Sequence, residues 1–83
     1  MSSDEHLVKM ANDIADFFRA EPRREDAVGG IVNHILKFWT RRMRERLIEH
    51  VHDDKAGFDE LTLEAARRVA AQMAGKNSGA VPT

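Results

Sequence analysis

Five cations crowd into one short stretch, KFWTRRMRER: Lys37, Arg41, Arg42, Arg44 and Arg46, with Glu45 the single acid among them, a net of +4 over 37–46. Planar guanidinium groups match carboxylates in bidentate fashion, so the chemistry such a cluster offers is recognition of acidic groups on another protein. Trp39 beside them has the composition of an interface anchor. A tryptophan that closes the core of a helical hairpin fits the same sequence. Two other readings of the arginines stand alongside. They could line a solvated helix face, with Arg41 and Glu45 as i, i+4 neighbours. A nucleic-acid surface would call for more basic charge than a chain of formal net charge −1 provides. The placement itself is unusual: if Thr40 opens a helix, Arg41 and Arg42 occupy its first turn, where the macrodipole disfavours cations.

Other groups that could do chemistry do less. His50 and His52 in EHVHDD resemble a metal tract, but i and i+2 point roughly 200° apart on a helix, so one ion cannot be held by both from that face. They read as solvated histidines near a helix C-terminus. Gly29-Gly30 lacks the glycine spacing and the preceding strand of a phosphate loop. Two glycines inside a helix cost about 1–2 kcal/mol relative to alanine, which points either to close approach by another backbone or to a weak, bent turn. No local motif brings a nucleophile to a base and an orienting group. No catalytic, cofactor-binding or metal-ligating residue is therefore expected. The chain has no cysteine, which excludes a disulfide and a thiolate-bound iron–sulfur cluster and suits a cytoplasmic protein.

The elements that must position these residues follow from periodicity. Leu7, Met10, Ala11, Ile14, Phe17 and Phe18 recur as one helical face, and so do Val28, Ile31, Val32, Ile35, Phe38 and Trp39. Ser2 with Glu5 has the form of a capping box, so the first helix is expected to begin near Ser3. Pro22 ends it and suits the first turn of the second, giving a helical hairpin. Thr40 could cap a third helix with Met43, Leu47 and Val51 facing inward, or a single helix could bend near Trp39. Periodicity leaves both open.

Asp53 to Gly57 reads as a polar loop, Asp59 as the N-cap of a fourth helix, and Phe58 with Leu63 as its hydrophobic staple. Leu61, Ala65, Val69 and Met73 line one side of that helix. The expectation is an all-α fold, a small bundle of three to four amphipathic helices built on a hairpin. Residues 1–74 form one domain, and GKNSGAVPT (75–83) forms a disordered tail.

Size and charge exclude several classes. Eighty-three residues allow one domain with a marginal core, a size at which a partner commonly adds stability. No apolar run is long enough to span a membrane, and the acidic N-terminus MSSDEHLVKM lacks the order of a signal peptide. Residues 53–64 carry Asp53, Asp54, Asp59, Glu60 and Glu64 against Lys55, a net of −4. The chain is polarised rather than evenly neutral.

KMANDIADFF followed by AVGGIVNHILKFWTRRMRERL resembles the small delta subunit of bacterial NAD-dependent formate dehydrogenases. The likeness rests on Met10-Ala11-Asn12, Ile14-Ala15, Phe17-Phe18, Asn33-His34-Ile35, Phe38-Trp39 and Arg42-Met43-Arg44, and runs from about Leu7 to His50. Where that family tends to place an acidic residue and a proline after the tryptophan, this chain has Thr40 and Arg41. The resemblance implies a non-catalytic accessory subunit. The enzyme it belongs to oxidises formate at a molybdenum or tungsten bis-pterin centre in its alpha subunit and passes electrons through iron–sulfur clusters to FMN and NAD.

None of those cofactors is expected in this chain. The resemblance implies binding to the alpha subunit and a part in assembly, cofactor loading or stability. Trp39, Arg41, Arg42 and Arg44 are the expected partner-binding face, and reversal of charge at Arg42 is expected to matter far more than at Arg68. A transient assembly chaperone and a small helical nucleic-acid-binding regulator are the alternatives. Self-association of the isolated chain as a homodimer through an exposed stripe is left open.

Overall fold

A computed structural model describes residues 3 to 79 and holds four helices. They are α1 (Ser3–Phe18), α2 (Arg24–Phe38), α3 (Arg41–Ile48) and α4 (Glu60–Gly79), with no strand among the described residues. The first helix begins at Ser3 as its sequence pattern predicts. Ser2, the expected cap, lies outside the described residues.

The expected place of Pro22 needs correcting. Arg23, in extended conformation (φ −105°, ψ 130°), is the residue at the helix boundary, and Pro22 precedes it rather than standing in the first turn. The chain needs residues 19–23 to reverse direction, and both residues before Arg24 are used in that reversal. No side chain caps this end.

Between α2 and α3 the structure decides what periodicity could not. Trp39 (φ −89°, ψ 144°) and Thr40 (φ −69°, ψ 159°) are both extended, so the helix is broken rather than bent. Thr40 Oγ1 accepts from the Met43 amide at 3.1 Å, and the Arg44 amide donates to the Thr40 carbonyl. A threonine cap thus starts the helix without the proline of the family pattern.

α2 is the centre of the packing, set against both α1 and α4, which also touch each other, while α3 packs against α1 and α4. Val28, Ile31 and Ile35 of α2 are fully buried, and Val8, Ala11, Ala15, Leu47, Ala65, Ala66 and Val69 close around them. Burying a side chain of the Ile or Leu type contributes about 1.5–3 kcal/mol. The alanines supply little of that, but let α1 and α4 approach closely. Met43 is half-buried and Val51 is buried, as their spacing predicts.

Phe17 and Phe38 depart from expectation: they are 75% and 70% exposed. Each lies in the last turn of its helix, at a stripe position that the neighbouring helices leave uncovered. Gly30 answers the glycine question. A Cβ there would stand 2.5 Å from ring carbons of Phe18, whereas a Cβ on Gly29 would meet nothing within 4 Å. The close approach is by a ring, not by another backbone.

The loop before α4 is tied to α1 by Asn12. Its amide nitrogen donates to the Gly57 carbonyl and its oxygen accepts from the Asp59 amide, both at 2.9 Å. Gly57 has φ +86°, a left-handed conformation that favours glycine. Asp59 stands at the N-cap position, its carbonyl accepting from Leu63. Its carboxylate is taken by Arg19 at 2.6 Å. The fourth helix runs past Gly75, where the tail was expected to begin, to Gly79. Residues 80–83 of that expected tail lie outside the described residues.

Candidate functional site

The α3 start presents the cations. Arg41 and Arg42 are exposed in the first turn, and that turn contains no acid. Arg41 Nε donates to Glu45 at 3.1 Å, one turn along the same helix. Such an exposed pair contributes only a few tenths of a kcal/mol. Arg42 has no ion-pair partner among the described residues. Arg44 is half-buried, and its Nε is closed off from solvent without a hydrogen-bond acceptor among the described residues.

Trp39, grouped with these arginines by sequence, is 6% exposed and belongs to the core. The structure therefore places Arg41, Arg42 and Arg44 in sequence at the start of α3, with Arg42 and Arg44 about 200° apart around the helix, and places Trp39 in the core rather than on the surface with them. Trp39 is the C-cap residue of α2, in extended conformation. Of the two readings open for this residue, the structure shows the core position.

Next to Arg42 lies an open depression of about 270 Å³. Leu7 and Met43 give it an apolar floor, and Asp4, His6, Thr40, Arg42 and Arg46 complete its lining. Apolar floor and cationic rim together can take an aliphatic group joined to a carboxylate. A second depression, of about 370 Å³, lies on the far side of Asp4 against Val8, His50 and Lys55.

Asp4 separates the two and is the best-connected acid of the molecule's N-terminal end. Arg46 Nε donates to its Oδ1 at 3.0 Å, and His50 Nε2 lies 2.8 Å from its Oδ2. The hydrogen bond with His50, then that with Arg46, holds the Asp4 carboxyl below the usual carboxylate range. Sequence reasoning missed this cluster. Asp4 reads locally as an acid suited to a helix N-terminus, and nothing nearby in the chain signals a partner 42 residues away. His50, expected to be solvated, is half-buried in this contact, while His52 is exposed.

Arg68, the position set against Arg42 as the milder charge reversal, is engaged within the chain. It forms a bidentate pair with Glu25, at 2.9 and 3.1 Å, joining α4 to the start of α2. Arg68 lowers the pKa of Glu25 by hydrogen bonding and charge.

Asp4 and Glu25 make a pH dependence with a definite sign. A carboxyl whose folded pKa lies below its unfolded value adds stability that is complete above the unfolded pKa and is lost as pH falls through the folded one. Both contributions are therefore present at neutral pH and disappear below about pH 4. Asp4→Asn should be less stable than the parent at neutral pH, with the gap closing as acid is added. Urea unfolding across that pH range checks this, and a gap that stays constant would refute it.

These observations define a small all-α protein with a cationic, apolar-floored face. Among the described residues no group of three or more histidine or acidic side chains is placed to hold a metal ion, and no helix is long and apolar enough to cross a membrane. Residues 6–66 match the family described as the NADH-dependent formate dehydrogenase delta subunit, FdsD. The chain belongs to that family. No curated protein and no solved structure matches it.

Proposed function

We propose that this chain is a non-catalytic accessory subunit that docks on the molybdopterin-containing alpha subunit of formate dehydrogenase and supports the assembly, cofactor loading or stability of the complex. The observation that carries the reading is Arg42, exposed in the first turn of α3 on the rim of an apolar depression, with no ion-pair partner among the described residues. A cation left there without an acid is disfavoured by the helix dipole. A carboxylate from outside the chain would offset that and form a bidentate, charge-assisted pair. Arg41, exposed in the same first turn, is the second residue proposed for this face; Arg44, two residues on from Arg42 and about 200° round the helix, would take part only at its margin. Trp39 is buried in the core and offers little surface of its own to a partner. In this reading the chain itself binds no molybdopterin, iron–sulfur cluster, FMN or NAD, and works in the cytoplasm with the enzyme.

Co-expression with the alpha subunit followed by size exclusion tests the proposal. Co-elution with active enzyme supports a resident subunit. Co-elution only with alpha subunit lacking its cofactor supports a transient chaperone, and no association with either overturns the reading. Arg42→Glu should weaken association about tenfold or more. The matched control is Arg67→Glu: Arg67 is exposed and without an ion-pair partner among the described residues. Arg68 is unsuitable because its reversal would break the pair with Glu25. Equal small effects at positions 42 and 67 would refute the assignment of the face.

A further inference from the structure

The outer seam of the α1–α2 hairpin carries apolar side chains that the chain itself covers only in part. On α2, Asp26, Gly30, His34 and Phe38 follow one another at intervals of four residues, so they share one line along the helix. On α1, Leu7, Met10, Ile14 and Phe17 form a line at intervals of three and four. Phe18, whose ring lies against Gly30, sets the two lines side by side. Leu7, Met10 and Ile14 pack on the core yet keep part of their surface open. Phe17 and Phe38 are the large apolar side chains left exposed among the described residues, and the hairpin puts one at each end of the seam.

The charges at the two ends are opposite. Lys37 stands with Phe38, and Arg42 follows at the start of α3, while Glu21 and Asp26 stand at the Phe17 end. All four are exposed, and none has an ion-pair partner among the described residues. The cations near the Phe17 end are drawn elsewhere. Arg19 is taken by Asp59 and Arg24 by Glu60, and Arg23 acts on Glu25, which is bound to Arg68 of α4. Acids therefore dominate one end of the seam and cations the other.

A surface that meets its own copy across a two-fold axis must carry complementary groups on opposite sides of that axis. The seam meets this condition. Turned end for end, it sets Lys37 and Arg42 of one copy against Glu21 and Asp26 of the other, and symmetry repeats the contact. A parallel arrangement would set like charges together. We infer that the seam is the contact surface of a homodimer of this chain, its two hairpins antiparallel about an axis beside the middle of the strip. Two rings from each copy leave water in that contact, and the end charges fix its direction. The inference concerns the isolated chain and does not rest on the docking proposed above.

Sedimentation of the full chain over a range of concentrations tests it, with circular dichroism to follow the fold. The parent should form a dimer in the micromolar range or tighter. Phe17→Ser with Phe38→Ser changes two exposed rings, so the helical spectrum should be retained while the chain becomes monomeric. Lys37→Glu and Asp26→Lys should each weaken the dimer several-fold, because each faulty contact occurs twice. Combined in one chain they should restore it, since every contact is then again a pair of opposite charges. Arg67→Glu should sediment as the parent does. A parent chain that stays monomeric throughout, or a dimer that survives the phenylalanine changes, would overturn the inference. A combined charge variant no more dimeric than the single ones would overturn the antiparallel arrangement. A monomeric parent captured by the purified alpha subunit, with capture lost in the phenylalanine variant, would give the strip to the enzyme instead.

Discussion

Leu47→Ala should destabilise the domain by about 2–5 kcal/mol, the range for truncating a fully buried leucine where surroundings relax only in part. Leu47 has no exposed surface and is the one buried residue of α3. That helix is short (8 residues), well below the length at which a helix is stable alone in water. Its place depends on the Thr40 cap, the Asp4 contacts and this side chain. Against a typical total of about 5–15 kcal/mol, such a loss is large. Met43→Ala, at a half-buried position in the same helix, should cost less. Urea unfolding of the two variants checks the order. A loss below about 1 kcal/mol at Leu47 would mean that α3 is not held through the core. Because α3 presents Arg41 and Arg42, its loosening should also weaken any docking that uses them.

Gly29 and Gly30 should respond to alanine with opposite signs. At position 29 a new Cβ meets open space, so Gly29→Ala should stabilise by roughly 0.5–1 kcal/mol through helix propensity. At position 30 it would overlap the Phe18 ring, and overpacking costs about 1–3 kcal/mol. The same propensity gain offsets part of that, leaving a net loss of about 1–2 kcal/mol and a spread between the neighbours of up to about 3. Thermal or urea unfolding of both variants reads the spread directly. Adding Phe18→Ala to Gly30→Ala should remove the penalty of the second change, since no ring then stands in the way. Two stabilised single variants would show that the ring yields without cost.

The same pair of glycines marks how far the sequence could be read. Their shared cost inside a helix was visible, but only the fold shows that one is required and its neighbour is not. Periodicity placed α1, α2 and the inward residues of α3 and α4, because burial of one face is a local pattern. It also put Phe17 and Phe38 inside, since a helical stripe does not say which of its members the neighbouring helices cover. The break at Trp39-Thr40 was undecided because neither residue is a proline or glycine. Its cause is a hydrogen bond to Met43 and the burial of an indole, and the second of these belongs to tertiary packing. Of the face proposed for docking, the cluster of Arg41, Arg42 and Arg44 was legible as composition. The depth of Trp39, the acid Asp4 behind Arg46 and His50, and the pairing of Arg68 were not. Each depends on contacts between distant parts of the chain.

Asn12 holds the start of α4 with both ends of one amide: a donor turned to the Gly57 carbonyl and an acceptor to the Asp59 amide. The clasp thereby distinguishes side chains of the same shape. An aspartate at this place would be isosteric and could still accept from Asp59, but its other oxygen would confront the Gly57 carbonyl with two acceptors and no proton between them. It would also add a negative charge to a region that already holds Asp13, Asp16 and Asp59. Hydrolytic deamidation, which replaces an amide by an acid with hardly any change in volume, would therefore turn one of the two fastenings of this loop into a repulsion. The closure of the bundle at α4 depends on a nitrogen that ageing of the protein can remove.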